Sequence, residues 1–216
     1  MRKTIALAFS AMFLLTGCGK NVSIGESSQG AASTASEKSS ADGETIVITL
    51  HPEYAPITCE NFEKLVNEGF YDGLTFHRVV EGFMAQGGDP QGTGMGGSDE
   101  TIKGEFSSNG VDNKLSHKRG VVSMARSQDP DSASSQFFIC YDDSCTFLDG
   151  NYAAFGEVTE GMNVVDDFLK VPRSLGSDGD ISSPNTAITM KTVVMIDDDA
   201  NGDPRVKITM DDFLDE

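Results

Sequence analysis

The chain has 216 residues and a formal net charge of −18, with 34 acidic against 16 basic residues, which argues against nucleic acid or an anionic membrane surface as a partner. Its length points to one domain with appendages, and 13 Phe with no Trp imply a core of Phe and aliphatic side chains. Among the 4 Cys and 3 His no spacing matches a zinc site.

In chain order, Arg2 and Lys3 precede an apolar run at 5–15 that is too short to span a bilayer as a permanent helix. The run ends in Leu15-Thr16-Gly17-Cys18, which resembles a bacterial lipobox. On that reading residues 1–17 are a lipoprotein signal peptide and Cys18 carries lipid. The acyl chains would hold the protein, without a transmembrane helix, to the bacterial cell membrane on its extracytoplasmic side. Residues 18–43 are rich in Ser, Gly and Ala and nearly free of large apolar side chains. They cannot offset their ordering entropy by burial and read as a flexible linker.

From Glu44 the pattern changes. Residues 45–50 read as a first strand. Pro56 suits the first turn of a helix in which Cys59, Phe62, Leu65 and Val66 recur at helical spacing, with Gly69 as its stop. Short β-type runs follow at 74–80, 83–86, 120–125 and 136–140; a second helix fits 162–169, and 187–196 reads as a last strand. Many short strands with turn signals between them point to a closed or nearly closed sheet. The acidic tail, 198–216, carries an apolar patch at Val206, Ile208 and Met210, and is open between an extra strand and a frayed end. Cys59 and Cys140 read as small buried residues, and the spacing leaves a Cys140–Cys145 bridge open.

The densest chemical signal is Phe76-His77-Arg78-Val79-Val80-Glu81-Gly82-Phe83-Met84-Ala85-Gln86-Gly87-Gly88-Asp89. A second block is Ser123-Met124-Ala125-Arg126 followed by Ser134-Ser135-Gln136-Phe137-Phe138-Ile139-Cys140, and a third runs Phe147-Leu148-Asp149-Gly150-Asn151-Tyr152-Ala153-Ala154-Phe155-Gly156. In this order and spacing the blocks make residues 44–197 resemble the cyclophilin family. The resemblance implies a mainly β fold, an eight-stranded antiparallel closed barrel capped by two α-helices. It also implies peptidyl-prolyl cis/trans isomerase activity on proline-containing polypeptides, which needs no metal and no cofactor; the chain is expected to act as a monomer. By that resemblance Arg78 and Gln86 are catalytic. Phe83, Met84, Phe138 and Leu148 form a slot for the proline ring, with Phe147 and Tyr152 at its rim. Gly92, Thr93, Ala125, Arg126 and Gln136 complete the substrate contacts, Arg126 through its backbone. The alternative is a tethered, non-catalytic binder or chaperone for proline-containing segments; Arg78, Gln86 and the slot residues together favour the enzyme.

The chemistry accounts for these residue types. Amide resonance sets a barrier of about 20 kcal/mol to X–Pro rotation. No bond to the substrate is needed; the site must bind the twisted amide better than either planar isomer. Twisting returns a lone pair to the prolyl nitrogen, which a fixed and permanently charged donor such as Arg78 stabilises. Strand alternation agrees, placing Gln136 and Phe138 on one face and Phe137 and Ile139 on the other. The chain departs from the best-known eukaryotic members at Phe147, Tyr152 and Arg126, where they carry Trp, His and Asn.

Two motifs point elsewhere. Gly92-Thr93-Gly94-Met95-Gly96-Gly97 satisfies G-x-G-x-x-G, but Asp89, Asp99 and Glu100 flank it, which is poor for phosphate. Asp197, Asp199, Asn201 and Gly202 match the first half of a calcium loop, but Ile208 stands where a bidentate Glu belongs. His77 reads as structural, His51 and His117 as surface residues, and no Ser/His/Asp pattern is visible.

Overall fold

The computed structural model describes residues 44–214; Cys18 and the linker lie outside them. Strand β1 (Thr45–Leu50) leads into helix α1 (Pro56–Asn67), which starts with Pro56 in its first turn and buries Cys59, Phe62, Leu65 and Val66. No residue at the start of α1 caps it with its own side chain. The buried Glu105 does so from 47 residues away, accepting from the Thr58 N–H at 2.8 Å and the Thr58 hydroxyl at 2.7 Å, with the Ile57 N–H at 3.1 Å. A carboxylate there satisfies orphan donors and complements the helix dipole.

The chain continues through β2 (Phe76–Val80), β3 (Met84–Gly87), β4 (Val121–Met124), β5 (Phe137–Cys140) and β6 (Ala154–Glu160) to helix α2 (Met162–Asp167). A hairpin, β7 (Arg173–Leu175) and β8 (Ile181–Pro184), precedes β9 (Met190–Ile196) and β10 (Arg205–Met210). Eight strands form one antiparallel sheet in the order β2-β3-β5-β4-β6-β1-β10-β9. The sheet curls around a core in which Phe62, Tyr71, Phe76, Phe137, Phe155 and Phe168 are fully buried. Phe62 and Phe137 meet edge to face at 5.4 Å, a geometry that adds roughly 0.5–1.5 kcal/mol beyond burial.

The closed barrel implied by the resemblance is not what the strands form. The edge strands β2 and β9 share no ladder; around the isolated bridge Thr75–Thr189 their first residues and the segments leading into them meet through three backbone hydrogen bonds, from Gly73 N–H to the Met190 carbonyl, Met190 N–H to the Leu74 carbonyl and Phe76 N–H to the Ile188 carbonyl. Beyond that bridge β8, not β9, lies beside β2. The result is an open, strongly curled half-barrel. The tail is more than a tail: β10 pairs with β1 on one side and β9 on the other, burying Val206, Ile208 and Met210 on its inner face. Of the two readings left open for it, the strand is found, and the sheet runs past Asp197. In the β9–β10 turn Asp199 accepts from the N–H groups of Asn201 and Asp203 at 2.7 and 3.0 Å, so the half calcium loop is a carboxylate-closed turn.

Cys59, Cys140 and Cys145 are free, buried thiols; the Cys140–Cys145 bridge is not formed. Burial pushes the Cys59 thiol up to about 12 and that of Cys140 higher still. No helix among the described residues is long and apolar enough to cross a membrane.

Candidate active site

Strand pairing assembles the site. Arg78 of β2 lies opposite Gln86 of β3, Gln86 opposite Phe138 of β5, and Phe138 opposite Ser123 of β4. Opposed residues of antiparallel neighbours share a face, so one row across the sheet brings Arg78, Gln86 and Phe138 together. The next row, Val80–Met84–Cys140, runs beside it. Phe137 and Ile139 turn into the main core, while Met84, Phe138, Cys140, Cys145 and Leu148 form a second apolar cluster on the other face. The alternation expected for 136–140 is the one observed.

That second cluster floors a slot of about 180 Å³. Phe83, Met84, Phe138, Leu148 and Tyr152 supply its apolar walls, and Arg78, Gln86, Ala125 and Arg126 complete it. Phe147 stands at the edge, 66% exposed, with its ring 5.6 Å from that of Phe83. Past Gln86, Ala125 and Arg126 a second cavity of about 330 Å³ is lined by Gly94, Met95, Gly96, Ser134 and Gln136. Gly92 and Thr93 border neither. They line a third space of about 480 Å³ across Arg78, together with His77, Leu175 and Asp178. The glycine loop therefore faces the second cavity with its later residues and the hairpin with its earlier ones.

A hydrogen-bonded line crosses the site. Arg78 Nη1 donates to Gln86 Oε1 at 3.4 Å, Gln86 Nε2 to Gln136 Oε1 at 2.8 Å, and Gln136 Nε2 to the Gly96 carbonyl at 2.6 Å. Arg78 also lies 5.8 Å from the Phe83 ring centroid. Its Nε donates to Asp178 Oδ2 at 2.5 Å, and its Nη2 has no partner among the described residues. Burial alone would raise the Asp178 carboxyl; the hydrogen bonds from Arg78, Ser182 and the Asp180 N–H outweigh it and hold the group at about 2. The sequence reading missed Asp178, which lies 100 residues from Arg78 along the chain. The Arg126 side chain folds away onto the Asn151 carbonyl at 2.9 and 3.0 Å and over the Tyr152 ring at 4.7 Å. Its backbone N–H and C=O have no partner among the described residues.

The glycine loop is wrapped around an anion of the chain itself. Asp89, 1% exposed, accepts from the N–H groups of Gln91 at 2.8 Å, Thr93 at 3.0 Å, Gly94 at 2.6 Å and Gly96 at 3.2 Å. Burial would raise its carboxyl, but these donors outweigh it and hold the group below the usual carboxylate range. The N–H groups that a phosphate would require are already occupied, which disposes of the dinucleotide reading.

His117 is not a surface residue. It is 1% exposed, with Nδ1 2.8 Å from Asp149 Oδ1, Nε2 2.9 Å from Ser123 Oγ, and its ring stacked at 6.1 Å on Phe138. A Ser–His–Asp line thus exists where none was visible, because its members come from separate segments. Ser123 is 0% exposed, so its hydroxyl meets no substrate, and the line braces the slot floor from behind. His51, also expected at the surface, is half-buried near Glu53 and Glu157.

His77 and His117 are both held below the usual histidine range, in each case first by burial. The folded state therefore disfavours a proton that the unfolded chain takes up near pH 6.5. Stability is full above that value and falls as pH drops through 6, by up to about 1.4 kcal/mol per pH unit for each group. Urea midpoints at pH 7.5, 6.5 and 5.5 should fall for the wild type and fall less for His77→Gln and His117→Gln. Equal slopes in all three proteins would contradict the assignment.

The comparisons agree with this geometry. The sequence model of the family described as "Cyclophilin type peptidyl-prolyl cis-trans isomerase/CLD" matches residues 36–194. Peptidyl-prolyl cis-trans isomerase B of Bacillus subtilis is 50% identical over 121 residues, 56% of this chain and 80% of its own. A probable peptidyl-prolyl cis-trans isomerase of Brucella suis is 42% identical over 153 residues, 68% of this chain and 76% of its own. A cyclophilin-type isomerase of Cryptosporidium parvum, solved in the presence of the dipeptide Ala-Pro, superposes with a TM-score of 0.61 at 27% identity, covering 79% of this chain and 98% of its own. With a slot, an arginine and a glutamine in one row of a curled eight-stranded sheet, and with a family match across most of its length, the chain belongs to the cyclophilin-type peptidyl-prolyl cis-trans isomerase family.

Proposed function

We propose that the chain accelerates X–Pro rotation in proteins outside the cytoplasm, held to the bacterial membrane by lipid on Cys18. The row Arg78–Gln86–Phe138 carries the reading of the reaction: an apolar floor with a fixed cation at one end and an uncommitted guanidinium N–H. The proline ring rests on Phe138 and Met84, and the preceding strand pairs with the open backbone of Arg126. As the amide twists, the prolyl nitrogen becomes pyramidal and accepts a hydrogen bond from Arg78, so the twisted form is bound more tightly than either planar isomer. Gln86 and Gln136 keep the guanidinium in register.

Refolding of a chain limited by an X–Pro step tests this reading. The slow phase, tens of seconds unaided, should shorten in proportion to substoichiometric amounts of the protein. A slow phase whose amplitude changes only at equimolar protein, with its rate unchanged, would support the tethered binder instead. The tether rests on Leu15-Thr16-Gly17-Cys18 and the linker after it. Cys18→Ser should move the protein from the membrane fraction to the soluble one; retention at the membrane would contradict it.

A further inference from the structure

We propose that Asp178 is a positioning residue for Arg78, and that the β7–β8 hairpin is built to hold its carboxylate against the guanidinium. The inference rests on the isomerase reading above. Arg78 has five N–H donors to place. Its contacts within the sheet are long: 3.4 Å from Nη1 to Gln86 Oε1 and 3.7 Å to Met84 Sδ. The one short, charge-assisted contact is from Nε to Asp178. It fixes the Nε edge of the planar group and leaves Nη2 uncommitted.

Asp178 is itself held. Its Oδ1 accepts from the Ser182 hydroxyl at 2.8 Å and from the Asp180 N–H at 3.1 Å, so Oδ2 is left for Arg78. The turn is cut to fit the carboxylate: a Cβ at Gly176 would fall 2.7 Å from Asp178 Oδ1 and 2.3 Å from Ser182 Oγ. Gly179, at φ +86°, closes the turn by donating to the Gly176 carbonyl at 3.2 Å. The hairpin stands outside the eight-stranded sheet, with β8 beside β2 and its turn at the arginine.

An arginine side chain surrenders rotamer freedom when it is fixed. A carboxylate that fixes it before substrate arrives removes that term from the barrier, so the benefit falls on turnover rather than on binding.

The test is a double-mutant cycle in the full chain, with kcat and KM measured on an X–Pro peptide for wild type, Asp178→Ala, Arg78→Ala and the double variant. Asp178→Ala should lower kcat by about tenfold with KM nearly unchanged. It should have no further effect once Arg78 is gone. Asp178→Asn, which still offers an acceptor to Nε, should recover part of the loss and keeps the test alive if the alanine variant fails to fold. Equal losses in both backgrounds would mark a purely structural role and overturn the inference, as would an unchanged or faster Asp178→Ala. If Arg78→Ala is impaired and Asp178→Ala is not, this inference alone falls. If the wild type itself is inactive, the isomerase reading falls and takes this one with it.

Discussion

Arg78→Ala lowers kcat/KM for X–Pro isomerisation by about two to three orders of magnitude while leaving the urea midpoint close to that of the wild type. That range is what removal of one preorganised donor to a transition state takes away elsewhere, about 2.7–4 kcal/mol. Stability is spared because Arg78 belongs to the outer face, its strongest partner is a hairpin carboxylate, and the main core lies on the other side of the sheet. Arg78→Lys should recover little. An ammonium keeps the charge but cannot donate to Asp178, Gln86 and substrate from one plane. Peptide isomerisation measured beside urea unfolding checks both parts. A variant within threefold of wild type would mean that the slot works by apolar contact alone.

Asp89→Ala is expected to remove roughly 2–4 kcal/mol of folding stability and to loosen residues 91–96. Four backbone N–H groups lose their acceptor at once, and the loop has no other anion to organise it. Asp89→Asn keeps an acceptor but not the charge, and should recover about half. The loop's fit is tight, since a Cβ at Gly96 would lie 2.1 Å from Asp89 Oδ1. Gly96 also accepts from Gln136 at the end of the line that begins at Arg78. Activity should therefore decline with stability in Asp89→Ala, whereas in Arg78→Ala only activity changes. Urea midpoints and amide hydrogen exchange across 91–96 measure the effect; exchange rates equal to those of the wild type would contradict it.

The site was legible in the sequence where its residues are close together along the chain. Arg78, Gln86 and Phe138 stand in short blocks whose alternation already separates slot from core, and the pairing of β2, β3 and β5 only sets them side by side. Helix α1 was readable from Pro56 and four apolar positions at helical spacing. Contacts between distant segments were not readable. Glu105 caps α1 from 47 residues away, Asp149 reaches His117 across 32, and Asp178 reaches Arg78 across 100. None of these carboxylates differs, as sequence, from a solvated acidic residue. Strand β6 was not among the expected runs, although its first three residues close the third block. In the fold, a Cβ at Gly156 would come within 2.7 Å of the Thr49 carbonyl oxygen, so glycine is what lets β6 lie against β1. The closed barrel was over-read, because the sequence carries no sign that a hairpin lies beside β2.

Everything above requires that this slot binds an X–Pro segment and rotates it. Exchange spectroscopy by nuclear magnetic resonance, on an Ala-Pro peptide with substoichiometric protein, tests it most directly. Cross-peaks between the cis and trans signals are expected on a timescale of a second or less, against tens of seconds unaided. In the labelled protein, shifts should be confined to Arg78, Phe83, Phe138 and their neighbours. Binding shifts at those residues with exchange left at the unaided rate would contradict it and leave a proline-segment binder in its place.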